Sequence, residues 1–129
     1  MKIQYVIIKV DDQDKALEFY TSILGFEKKE DLQSSSIRWL TVFSPEGEQG
    51  IELVLEPNFP PSDKAQKTLY DAGFPAAVLS TNDIEAEYKR LQKNGVKFRG
   101  KPKTLPHNKF VPFEDTCGNI IMLVEPSNN

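Results

Sequence analysis

The chain holds one cysteine, one histidine and one tryptophan among its 129 residues. A single thiol, Cys117, excludes an intrachain disulfide. A lone histidine, His107, with no serine or cysteine motif beside it, marks no nucleophile–base pair. There is no surplus of positive charge: 16 Lys and Arg stand against 19 Asp and Glu, a net charge of −3. Nucleic acid is therefore excluded as a partner, because phosphate binding needs a basic face. No apolar run approaches bilayer length, which excludes a membrane-spanning helix. Met1 to Ile8 passes straight into a strand pattern without a cleavage signal. A cytoplasmic location is the expectation.

What is present is globular. Hydrophobic residues make up 39% and charged residues 27%, and the length suits a single domain over residues 1–129 with a core of its own. Ile3 to Val10 is β-branched and apolar and predicts a buried strand. Asp11 and Asp12 offer an N-cap to a helix whose Ala16, Phe19, Tyr20, Ile23 and Leu24 share one stripe. Gly25 ends it. Phe26 to Lys29, Ile37 to Phe43 and Ile51 to Leu55 follow as strands, with a turn over Ser44 to Gly50. Pro57, Pro60 and Pro61 mark a linker, and Ser62 or Asp63 caps a short helix closed by Gly73.

The pattern then restarts. Pro75 to Thr81 is a strand, and Asn82 or Asp83 caps a helix with Ile84, Tyr88 and Leu91 on one face. Gly95 ends that helix, and strands begin at Val96 to Phe98, Lys109 to Glu114 and Asn119 to Glu125. The halves share one order: strand, acidic cap, helix, glycine, three strands. Module 1 spans 1–57, a linker helix 58–73 and module 2 74–126. The fold class is α+β, as tandem βαβββ modules.

Val10-Asp11-Asp12, Ala16-Leu17, Phe19-Tyr20 and Leu24-Gly25-Phe26 resemble the first-module signature of the vicinal oxygen chelate superfamily. That superfamily takes in glyoxalases, bleomycin-resistance proteins and extradiol dioxygenases. Asp83-Ile84, Leu91 and Gly95-Val96-Lys97-Phe98 resemble its second module. Phe113 to Asn119 resembles its final hairpin, with Thr116-Cys117 where Pro-Asp is common. The resemblance implies that each half curls into a half-open, mixed-sheet barrel around a cavity. In many relatives that cavity holds a divalent metal, with ligands from the first and last strands of each module.

Those positions fall on Tyr5, Glu52, Ala76 and Met122. Only Glu52 matches the ligand set that the resemblance implies. Alanine cannot ligate, a thioether is a poor ligand for hard divalent ions, and a phenol with a pKa of about 10 rarely ligates at neutral pH. A catalytic metal usually keeps about three protein ligands. No metal and no other cofactor is therefore expected. Alternation along the strands places Tyr5, Ile7 and Lys9 on the cavity face, with Glu52 and Val54, and Met122 with Ile120 and Val124. Val6, Ile8 and Val10 then face the helix, and Ile51, Leu53 and Leu55 the core.

Glu52 is the candidate functional residue, as a base or as a contact for a cationic or hydrogen-donating ligand. Its alternative is a partly solvated carboxylate without a role. Tyr5 and Trp39 are candidates to line the cavity, or else pack in the core or a dimer interface. With Ile7, Val54, Ala76 and Met122 they complete the candidate ligand-binding set. His107 sits in a loop, Arg38 reads as an ion-pairing residue, and Cys117 lies in a turn with nothing to activate it.

The expected function is small-molecule binding of the glyoxalase, bleomycin-resistance and dioxygenase type, without the usual metal site. The alternative is a metal-dependent lyase, isomerase or dioxygenase, similar to lactoylglutathione lyase, using Glu52 with Tyr5, His107 or Glu125 as substitute ligands. A third reading is an interaction module with no ligand. Open half-barrels expose sheet edges and apolar faces, so a homodimer is the expected partner arrangement.

Overall fold

The computed structural model describes residues 1–127. Asn128 and Asn129, the end of the expected 1–129 domain, lie outside the described residues. The first module runs β1 (Tyr5–Val10), α1 (Gln13–Glu18), β2 (Glu27–Gln33), β3 (Arg38–Phe43) and β4 (Glu52–Pro57). Helix α2 (Ser62–Asp71) links it to β5 (Ala77–Ser80), α3 (Ile84–Lys93), β6 (Lys103–Thr104), β7 (Asn108–Glu114) and β8 (Ile120–Pro126). Each module builds a four-stranded mixed sheet, ordered β1-β4-β3-β2 and β5-β8-β7-β6. The first strand of each pairs parallel to the last, and the others pair antiparallel. Among the described residues neither sheet closes into a barrel.

The acidic caps act as the sequence implies. Asp12 accepts from the Lys15 N–H, and Asp83 from the Ala86 N–H. Alternate residues of both sheets then meet the helices in one core. Ile8, Val10, Leu40, Val42 and Leu55 come from the first sheet, and Val111, Phe113, Ile121 and Leu123 from the second. Ala16, Phe19, Tyr20, Ile84 and Leu91 from the helices join the same cluster. The modules thus share a core and do not fold around separate ones.

A buried polar knot fastens the seam between them. The Asp115 carboxylate accepts from Tyr20 Oη at 2.7 Å, the Cys117 and Asn119 backbone N–H groups at 2.8 and 3.0 Å, and Asn119 Nδ2 at 2.8 Å. Asn119 Nδ2 also donates to the Lys9 carbonyl at 2.7 Å, which ties β8 to β1.

Four local expectations need correction. Val96 to Phe98 does not open a strand, and only an isolated bridge joins Phe98 to Phe113. Arg99 N–H donates to the Pro112 carbonyl, but Pro112 has no N–H to return, so the ladder stops there. The strand that does form, β6, lies further on. The first helix is α-helical only to Glu18 and continues as a π turn over Phe19–Ile23, where Leu24 N–H donates to the Phe19 carbonyl. Neither Ser62 nor Asp63 caps α2. Pro61 holds the cap position without a side-chain bond, while Ser62 Oγ donates to the Phe59 carbonyl. Val6 is exposed, not packed on the helix, because β1 is an edge strand whose first half the helix leaves uncovered.

Candidate functional site

The strand register lays out the first module's outer face row by row. Tyr5 lies beside Glu52, Ile7 beside Val54, and Lys9 beside Glu56. Thr41 of β3 pairs with Val54 from the other side. Since successive residues point to opposite faces, Tyr5, Ile7, Lys9, Trp39, Thr41, Glu52, Val54 and Glu56 share the face opposite the core.

Two clusters organise that face. At one end Glu52, only 6% exposed, accepts from the Thr41 hydroxyl at 2.7 Å. Thr41 Oγ1 itself accepts from the Glu30 N–H, so its one proton must go to Glu52 Oε1. Glu52 has no ion-pair partner among the described residues, and it opens to a cavity of about 310 Å³ with Lys29, Phe43, Gln49 and Gly50. From the same row as Glu52, the Tyr5 ring meets the Trp39 ring edge to face, with centroids 5.2 Å apart. The Trp39 indole N–H donates to Glu30 at 2.6 Å, which fixes the ring.

Beyond Trp39 opens a cavity of about 680 Å³, walled by Ile37, Trp39, Val54, Pro57, Phe59 and Ala65. This volume is in the range of small-molecule sites, and so is the apolar lining with few polar groups. Phe59 stands at the Pro60-Pro61 turn and remains 62% exposed. Three charged side chains line it: Lys9, Arg38 and Glu56. Arg38 is already committed, donating to Asp14 at 2.6 Å and to both oxygens of Asp31 at 2.9 and 3.0 Å. Its hydrogen bonds to Asp31 and Asp14 push its pKa up, and the same bond from Arg38 holds Asp31 below the usual carboxylate range. Lys9 and Glu56 form an ion pair with each other.

A third cavity of about 390 Å³ lies at the module seam beneath α2. Ile7, Leu69, Phe74, Ala76 and Ile120 form its apolar part, and Lys9, Ser62 and Ala65 line both it and the larger cavity. Gln66 of α2 pins the junction, its Nε2 lying 2.8 Å from the Lys9 carbonyl, 3.2 Å from the Cys117 carbonyl and 3.1 Å from Asn119 Oδ1.

The candidate residues therefore divide. Tyr5, Ile7, Trp39, Glu52 and Val54 share the first module's face. Ala76 and Met122 belong to the second sheet, where Met122 pairs with Val78 in register. Ala76 meets Ile7 in the seam cavity, while Tyr5 and Met122 line none of the three cavities described. Glu125 is occupied elsewhere, accepting from the Ile84 N–H at 2.9 Å at the start of α3. His107 lies between β6 and β7. Among the described residues no three His, Cys, Asp or Glu side chains are grouped so as to hold a metal ion. Burial raises the Cys117 thiol pKa to about 12, which suits a packed thiol and not a nucleophile. Sequence reasoning missed Glu56 and Phe59. The sole signal for Glu56 was its even spacing from Glu52 and Val54.

The model of the Glyoxalase/Bleomycin resistance protein/Dioxygenase superfamily matches residues 2–123. The chain belongs to this superfamily. It is 46% identical over 126 residues to the protein YurT of Bacillus subtilis (strain 168), covering 97% of this chain and 99% of YurT. The crystal structure of UcmS2 matches with a TM-score of 0.84 and 33% identity, over 97% of this chain and 98% of that one. TnmS3, an antibiotic binding protein from Streptomyces sp. CB03234, matches with a TM-score of 0.79 and 33% identity, over 98% and 97% of the two chains. No helix among the described residues of this superfamily member is long and apolar enough to cross a membrane.

Proposed function

We propose that this protein binds a small, partly apolar molecule on the outer face of its first module and does so without a resident metal. The observation that carries the reading is the 680 Å³ cavity walled by Trp39, Val54 and Phe59. The similarity to TnmS3, itself an antibiotic binding protein, supports an antibiotic-like ligand. The donor set does not fit a divalent ion. Ala76 offers no donor atom, Met122 offers a thioether, and Glu52 alone falls short of the about three protein ligands that a catalytic metal keeps. Glu52 serves instead as a buried acceptor at the far end of the face. The proposal includes a homodimer. Ile7, Leu69 and Phe74 are exposed apolar side chains around one cavity, and a second copy would cover such a surface.

Trp39 is the single tryptophan, so its emission reports on this site alone. The test titrates a panel of aromatic antibiotics into EDTA-treated protein. Saturable quenching of Trp39 is expected, and Trp39→Ala, followed by calorimetry with the tightest compound, should weaken binding about tenfold. Binding that appears only after zinc, nickel or manganese is added would contradict the proposal.

A further inference from the structure

We infer that the Lys9–Glu56 pair selects ligands that carry an uncharged donor beside an acceptor, such as a carboxamide or lactam edge, and that this pair is the cavity's chemical reader. The inference rests on the binding reading above and adds the ligand chemistry to it.

The argument starts from valence. A lysine ammonium has three donors, and Glu56 takes one of them. The carboxylate keeps a second oxygen. The paired groups thus leave donors and an acceptor side by side, at adjacent register positions of parallel strands. Both side chains keep 35% exposure and line the same apolar cavity. Arg38, the other charged residue there, is held by Asp14 and Asp31 and offers no competing charge. The pair is neutral overall. A ligand with one full charge must break the pair or leave one member unmatched in a partly desolvated place, which is costly. A neutral group with donor and acceptor adjacent satisfies Lys9 and Glu56 together and leaves the pair intact.

The backbone beneath is also fixed. The Lys9 carbonyl accepts from Asn119 Nδ2 at 2.7 Å and from Gln66 Nε2 at 2.8 Å. The strand position that carries the ammonium is therefore set by the second module and by α2, and need not be assembled when the ligand arrives.

The test uses probes with one flat body and different edges: 2-naphthamide, methyl 2-naphthoate and 2-naphthoate. The 129-residue chain is titrated with each, and the indole N–H cross-peak of Trp39 is followed by proton–nitrogen correlation spectroscopy. The amide should bind about tenfold tighter than the ester, which lacks the donor, and tighter than the anion. The Lys9→Met, Glu56→Leu double variant should keep ester binding and lose the preference for the amide. The exchanged variant Lys9→Glu, Glu56→Lys keeps a pair and should keep the preference. Equal affinity of the wild-type protein for all three probes overturns the inference, whether or not the variants fold. So does a preference that survives in a folded double variant. Both outcomes leave the binding site itself standing. If no probe moves the Trp39 peak up to its solubility limit, the binding reading fails as well, and that result is distinct from the others.

Discussion

Asp115 is buried and acts as the acceptor for a set of donors from both modules, including Tyr20 Oη. Its surroundings set an alkaline limit on stability. Burial, and then the neighbouring Asp115 charge, push the Tyr20 phenol well above its ordinary value. The same two causes raise the Cys117 thiol from 9.0 to about 12. For such acids the folded state keeps a proton that the unfolded chain releases. Stability is complete below the unfolded pKa and falls as pH rises through the window up to the folded one. Urea unfolding should therefore show stability declining above pH 9, with a slope of up to ~1.4 kcal/mol per pH unit for each group. Cys117→Ala should flatten the decline most between pH 9 and 10, because of these two acids the thiol has the lower unfolded value. A slope unchanged by that substitution would contradict the assignment. Single-residue chemistry of this kind was only partly legible in the sequence. Alternation placed Lys9 on the cavity face, but its partner Glu56 lies on a strand that the apolar pattern ends at Leu55. The register that joins them is a long-range property, and no local spacing encodes it.

Helix α2 lines both the larger cavity and the seam cavity, and it is the helix least secured by apolar burial. It buries none of its residues, whereas α3 buries Ile84 and Leu91. Polar contacts hold it instead, chiefly Gln66 to Lys9, Cys117 and Asn119, with Asn58 Nδ2 donating to Gln66 Oε1 at 2.6 Å. Gly118 admits this arrangement, because a Cβ there would lie 2.9 Å from the Gln66 amide. Gln66→Ala should cost ~1–3 kcal/mol of local stability. Amide hydrogen exchange should accelerate across α2 and remain unchanged in α3. Equal acceleration in both helices would mean that Gln66 supports the whole fold and not the docking of α2. Elements with strong periodicity were readable in advance: both acidic caps, both module helices and the bulky strand Ile37 to Phe43. The failures had local physical causes. The Pro112 gap stopped a ladder that hydrophobicity alone would extend, and the π turn lies where Tyr20 reaches Asp115, a long-range contact that helical spacing does not show.

For the molecule as a unit, the repeat and the family signature carry the tandem-module architecture in the sequence itself. How the sheets present their faces was less legible. Tyr5, Val6, Ile7, Phe74 and Val78 are all exposed large apolar side chains on the single chain, and Ile7 and Phe74 line one cavity. Sedimentation at micromolar concentration should give a dimer, and Phe74→Asp should shift it towards monomer. A monomeric wild-type protein would remove the homodimer from the account.

The central claim is a metal-free binding site between Trp39 and Phe59. A crystal structure of EDTA-treated protein with the tightest compound of the antibiotic panel tests it most directly. The expected result is ligand density against Trp39 and Phe59, with polar contacts to Lys9 and Glu56 and none to a metal. Density for a divalent ion coordinated by Glu52, or a ligand seated only against Met122 and Val78 of the second sheet, would contradict it.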